Sequence, residues 1–90
     1  ICNATKERQK EAADIAAQAE VMLVIGGRNS SNSQKLYDIC GNYCSHTYFI
    51  QTVDDLKTAW FRHVKCVGIT AGASTPERII EEVQTYVRKF

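Results

Sequence analysis

Excess basic charge, proline and long apolar runs are what this sequence has least of, and each shortage removes a class of function. Eleven Lys and Arg stand against ten Asp and Glu over 90 residues, a formal net charge of +1. No strongly basic face follows, so neither nucleic acid nor an anionic membrane is an expected partner. A single proline and no biased tract leave no Pro-rich linker or low-complexity segment. The longest apolar run, Val21 to Ile25, is far short of the roughly 20 residues that cross a bilayer as a helix. The N-terminus also lacks the charged-then-apolar design of a secretory signal. A cytoplasmic protein is therefore expected, with its four cysteines reduced rather than paired. Gly-x-x-x-x-Gly-Lys-Ser/Thr and Gly-x-Gly-x-x-Gly are both missing, so a nucleoside triphosphate or a dinucleotide has no motif behind it. There is no Ser-His-Asp or Cys-His constellation either.

What is present is an ordinary globular composition, 44% apolar and 23% charged. Ninety residues make one domain, 1–90, able to bury roughly 60 to 65% of its extended surface. The chain opens on Ile1 rather than Met, which raises the expectation of a piece cut from something longer.

Hydrophobic spacing then sets the order of elements. Ala12, Ile15, Ala16 and Ala19 recur at helical spacing and predict a helix from about Lys6 to Ala19, with Thr5 as its N-cap. Val21 to Ile25 is apolar without alternation and bounded by Gly26-Gly27, the mark of a strand buried on both faces. Leu36, Ile39, Cys40, Tyr43 and Cys44 define a second helix starting near Ser33, and His46 to Ile50 a second strand. Thr52 and Asp55 resemble a capping box ahead of a short helix carrying Val53, Leu56 and Trp60. Cys66 to Ala71 reads as the last strand. Pro76 suits a first helical position, with Thr75 capping and Ile79, Ile80, Val83, Val87 and Phe90 striping the final helix. Alternation of helix and strand, with right-handed crossovers, predicts a three-layer α/β sandwich on a small parallel sheet. A strand should also precede the first helix, and Ile1-Cys2 reads as its last two residues.

Parallel sheets bind ligands outside the carboxyl ends of their strands, where helix N-termini offer unpaired N–H groups. Three segments fall there: Ile1 to Thr5, Gly26 to Ser33 and Thr70 to Thr75. Asn29 to Asn32 places four short hydrogen-bonding side chains between a buried strand and a helix start, a neutral anion cradle; the same residues also suit plain turns and caps. Gly72 and Ala73 allow close approach to backbone, and Ser74 is left to face a ligand if Thr75 caps the helix. Cys2, just ahead of a helix, suits a metal ligand or nucleophile, while its bland reading is a small buried hydrophobe. Cys40 and Cys44 lie on an apolar helix stripe and Cys66 opens a buried strand, so all three read as core. His46 and His63 lack partners at a useful spacing, Arg28 could add charge to a phosphate or be an ordinary exposed loop arginine, and Asp54-Asp55 reads as helix-start charge.

Three runs carry a family resemblance. Ile-Cys-x-Ala-Thr-x-x-Arg-Gln from Ile1, Gly-Gly-Arg-Asn-Ser-Ser-Asn-Ser from Gly26 and Val-Gly-Ile-Thr-Ala-Gly-Ala-Ser-Thr-Pro-Glu from Val67 resemble the LytB-type 4-hydroxy-3-methylbut-2-enyl diphosphate reductases in order and spacing. The resemblance spans essentially all 90 residues but only the C-terminal third of a family member. It implies one domain of a three-domain, trefoil-like enzyme built around a 4Fe-4S cluster. Cys2 matches one of three cluster cysteines. Ser30, Asn32 and Ser74 match residues that hold the substrate's diphosphate, and Ser31 matches their neighbour. The implied reaction is a two-electron reductive dehydroxylation of an allylic diphosphate in non-mevalonate isoprenoid synthesis, with ferredoxin or flavodoxin as electron donor. The remaining cluster cysteines, the substrate-binding histidines and the proton-donating glutamate of the family lie in the N-terminal domains and have no match here, so these 90 residues alone are expected to be inactive. Two other classes stay open: a stand-alone α/β module that binds a phosphorylated small molecule, and a structural domain with no ligand.

Overall fold

The computed structural model of the chain describes residues 2–6, 9–27, 31–72 and 75–89, with the backbone alone over 2–6 and 9–11. In chain order the elements are β1 (Cys2–Lys6), α1 (Gln9–Gln18), β2 (Val21–Ile25), α2 (Ser31–Tyr43), β3 (Thr47–Ile50), two short 3-10 turns (Val53–Asp55 and Thr58–Phe61), β4 (Cys66–Ala71) and α3 (Glu77–Arg88). The four strands form one parallel sheet in the order β1-β4-β2-β3.

Alternation along the central strands divides the core into two layers. Met22 and Val24 of β2 face one side, where they pack with Ala12 and Ala16 of α1 and with Leu36 and Cys40 of α2. Val21, Leu23 and Ile25 face the other, against Ile80, Val83 and Val87 of α3 and against Leu56 and Phe61. Every residue of β2 is buried, which is why its sequence shows no alternation. Each fully buried aliphatic side chain there contributes about 1.5 to 3 kcal/mol. The expected three-layer α/β sandwich is what forms.

The sequence reading and the structure part most widely over Cys2 to Lys6 and over the residues after Thr52. The stretch from Cys2 to Lys6 was expected to end a strand and begin a helix with Thr5 as cap; instead all five residues pair with β4, Thr5 lying opposite Ile69, and α1 waits until Gln9. An edge strand needs only a neighbour's free backbone groups, and a short polar stretch supplies them as well as an apolar one. The single helix expected after Thr52 is two 3-10 turns. The Asp55 carboxylate does reach back to accept from the Thr52 and Gln51 N–H groups, at 3.3 and 2.9 Å. Leu56 then turns extended (φ −76°, ψ 146°) and is buried with Phe61. Trp60 meanwhile stacks on Tyr48, with centroids 4.0 Å apart and planes 7° from parallel.

Gly68 in β4 lets α1 rest directly on the sheet, since a Cβ there would overlap Met22 Sδ and Ile15 Cγ2. Gly41, exposed in the last turn of α2, has nothing within 4 Å of a would-be Cβ. Urea unfolding of Gly68→Val is therefore expected to show a loss of about 2 to 3 kcal/mol. Gly41→Ala should gain about 0.5 to 1 kcal/mol from helix propensity. Equal stability of the two variants would contradict this packing of α1.

Candidate functional site

The helices that follow β2 and β4 leave on opposite faces: α2 joins the α1 layer and α3 the other. Because β2 and β4 are neighbours, their carboxyl ends form the switch point, the place at which α/β sheets bind ligands. Hydrogen bonds tie these two ends. The Ile25 carbonyl, at the end of β2, accepts from the Gly72 N–H at 3.1 Å and from the Thr75 hydroxyl at 3.0 Å. Gly72 returns a carbonyl to the Thr75 N–H at 3.0 Å, and the Gly26 N–H donates to Ile50 of β3 at 3.0 Å. Ser33, in the first turn of α2 and fully buried, lies against the backbone of both Gly26 and Gly72. On the α3 side of the same rim a groove of about 330 Å³ is lined by Gly26, Gly27, Gln51, Thr52, Thr75, Pro76 and Ile79.

Electrostatically this rim favours an anion. The first turn of α2 carries no acidic side chain, and its leading N–H groups sit at the positive end of the helix dipole. Ser31 and Asn32 stand in that turn, both exposed, so two of the residues named from sequence are at the rim. Ser30 and Ser74 lie outside the described residues, as does Arg28. Thr75 does not cap α3. Pro76 takes the cap position (φ −62°, ψ 138°) and the helix starts at Glu77, because the Thr75 hydroxyl is committed to Ile25 across the rim. Ser33 and the pair Gly26 and Gly72 were not singled out from sequence as acting together. The available signal was a glycine at the exit of each of two apolar strands.

The backbone of Cys2 is not at this rim. It opens β1 level with Cys66, while the rim is level with Lys6 and Thr70. Four ladder steps lie between, roughly 13 Å along the strand. The expectation that Cys2 closes a strand is corrected: it begins one.

The family model described as "LytB protein" matches residues 1–88. The chain belongs to the LytB family. Curated relatives include the 4-hydroxy-3-methylbut-2-enyl diphosphate reductases of Nitratiruptor sp., 46% identical over all 90 residues, and of Aquifex aeolicus, 47% identical over the same span. The chain covers 33% and 31% of their lengths, so it spans about a third of these relatives. A solved structure of (E)-4-hydroxy-3-methyl-but-2-enyl diphosphate reductase superposes with a TM-score of 0.89 at 44% identity, over 92% of this chain and 30% of that one. The corresponding reductase of Plasmodium falciparum gives 0.77 at 29% identity, over 92% and 25%.

Cys40 and Cys44 of this LytB-family chain are core residues, as their positions on the apolar stripe of α2 predict, whereas Cys66, expected in the core, is only half-buried at the start of β4 and joins neither apolar layer. Cys40 and Cys44 are buried in α2 and beyond its end, and Cys44 Sγ donates to the carbonyls of Ala19 and Glu20, each at 3.6 Å. Burial first, and the neighbouring Cys44 second, push the Cys40 thiol up to about 11. A proton held that firmly makes a poor ligand or nucleophile at neutral pH. Among the described residues no group of three or more His, Cys, Asp and Glu is placed to hold a metal, and no helix is long and apolar enough to cross a membrane.

Because the folded Cys40 thiol titrates above its ordinary value of 9.0, its contribution to stability is complete below pH 9 and is lost as pH rises toward 11. Denaturant unfolding between pH 8 and pH 11 should show that loss, on the order of 2 kcal/mol, and Cys40→Val should flatten it. An identical slope in the variant would contradict the burial argument.

Proposed function

We propose that this chain is the C-terminal, diphosphate-holding domain of a LytB-type reductase, which converts 4-hydroxy-3-methylbut-2-enyl diphosphate to isopentenyl and dimethylallyl diphosphates. The observation that carries the reading is the rim at the ends of β2 and β4. Two glycine-bearing strand ends, held together through the Ile25 carbonyl, face the unacidic N-terminus of α2. Uncharged donors on such a rim bind a diphosphate without a lysine or a resident metal. Ser31 and Asn32 in the first turn of α2, with Ser30 and Ser74 from the two loops, are the side chains assigned to its oxygens. The names borne by the relatives supply the substrate.

The reaction consumes two electrons and two protons: the allylic C–O bond breaks, the oxygen leaves as water and a C–H bond forms. A 4Fe-4S cluster, when bound, supplies the electrons and a Lewis-acid iron for the departing oxygen. The described residues do not by themselves form a site for it. The reading gives this chain a single ligand, Cys2, with the remaining ligands, the substrate-binding histidines and the proton donor contributed by N-terminal domains in a trefoil-like arrangement. A ferredoxin or flavodoxin in the cytoplasm completes the electron path. What these 90 residues do is bind and orient the diphosphate end.

Cys2 makes a demand on the fold. In the register with Cys66 it begins β1, about four ladder steps from the rim, so a Cys2 ligand role requires Cys2 to Lys6 to be placed differently against β4 in the whole enzyme. That segment has one strand neighbour, and a short polar edge strand specifies its register weakly.

In the full-length reductase, Asn32→Ala is expected to raise the KM for the allylic diphosphate about tenfold, the scale of one lost charge-assisted hydrogen bond. Cys2→Ser should lose most of the protein-bound iron after anaerobic reconstitution. The 90-residue chain alone should form no product. A Cys2→Ser enzyme with full iron content and wild-type turnover would remove Cys2 from the site, and an unchanged KM in Asn32→Ala would remove the cradle.

A further inference from the structure

Ser33 is a polar residue in an unusual place: the first turn of α2, where Ser31, Asn32 and Gln34 are all exposed, yet itself at 0% exposure. Its side chain fills the volume that a side chain on Gly26 or on Gly72 would need. A Cβ built on either glycine overlaps Ser33 Oγ, and on Gly26 it overlaps Ser33 Cβ as well. The first turn of α2 therefore rests on the ends of two adjacent strands at once, with one small side chain between three backbones.

We infer that Ser33 is a positioning residue for the diphosphate cradle: its side chain, seated between Gly26 and Gly72, sets the rotation of α2's first turn and ties it to the ends of β2 and β4 as one unit. This rests on the diphosphate reading above. Helical geometry gives the reason. Successive residues are turned by about 100°, so seating Ser33 against the sheet turns Asn32 and Ser31 outward to the rim. Gly72, at the exit of β4, is held to the same seat because it lies against Ser33 while its N–H is held by Ile25. A hydroxymethyl group has the size for this gap. A longer side chain would lift α2 off the strand ends, and a methyl would leave the two ends free to settle apart.

The test uses the full-length enzyme. Ser33→Ala and Ser33→Thr are each expected to raise the KM for the allylic diphosphate, and the Kd for inorganic diphosphate, by about five- to tenfold, because misplaced donors cost binding. The kcat and the iron content should stay within about twofold, the expected signature of lost uniform binding. Gly72→Ala should show the same defect, and Gly72→Ala combined with Ser33→Gly should recover much of it, since the double variant removes the atom that the new methyl meets. Wild-type KM in Ser33→Ala, or a double variant no better than Gly72→Ala alone, would overturn the inference. Should the unaltered enzyme bind no diphosphate, the functional reading fails. The inference is then decided by amide hydrogen exchange, which Ser33→Ala should accelerate at both Gly26 and Gly72; unchanged exchange at either one overturns it.

Discussion

One carbonyl carries the architecture of the rim. Ile25 ends the most buried strand of the sheet, and its oxygen accepts both the Gly72 N–H and the Thr75 hydroxyl. Through it the end of β2 is joined to the turn that leads from β4 into α3. Both lone pairs are thereby used inside the protein, so the carbonyl presents little negative charge to the rim, while the nearby N-terminus of α2 presents its N–H groups. An anion meets donors on the α2 side and no acidic residue in that first turn. The apolar layers on either side of β2 keep this strand end from moving, since shifting it would disturb every contact of a fully buried strand.

Topology adds direction. Had α2 and α3 left the sheet on the same face, their first turns would have covered the space between β2 and β4. They leave on opposite faces, so only α2 rests on the two strand ends, and the α3 side of the rim keeps its groove. The glycines at both strand exits serve the same end by a different route: without a Cβ they admit Ser33 between them, and α2 begins low on the sheet rather than standing off it. Local sequence, packing and the placement of the exposed Ser31 and Asn32 are in this way one chain of cause.

Much of this was legible beforehand, and the reasons differ by element. Val21 to Ile25 and Cys66 to Ala71 are long enough and apolar enough that burial decides their state, and both strands appear with the bounds read from sequence. The apolar stripe of α3 is equally plain. That Ser31 and Asn32 would be exposed beside the exit of β2 was readable because short polar residues follow a buried strand there, although they open α2 rather than end the loop before it. Cys2 to Lys6 was not readable, because an edge strand is chosen by a neighbour's unsatisfied backbone and that neighbour, β4, lies 64 residues on. The stretch after Thr52 misled for a related reason. Its capping pair is real, but Leu56 and Phe61 reach the core only if the helix is broken between them. Thr75 was misassigned because the acceptor for its hydroxyl is 50 residues away, beyond what spacing can show.

The central claim is that the ends of β2 and β4 act together as an anion cradle, and amide NMR chemical shifts during titration of the 90-residue chain with inorganic diphosphate test it most directly. The account predicts that the amides of Gly26, Gly27, Ser31, Asn32, Gly72 and Thr75 shift together along one saturating curve. Shifts confined to one of the two loops, or centred at the other end of the sheet around Cys66 and His46, would contradict it.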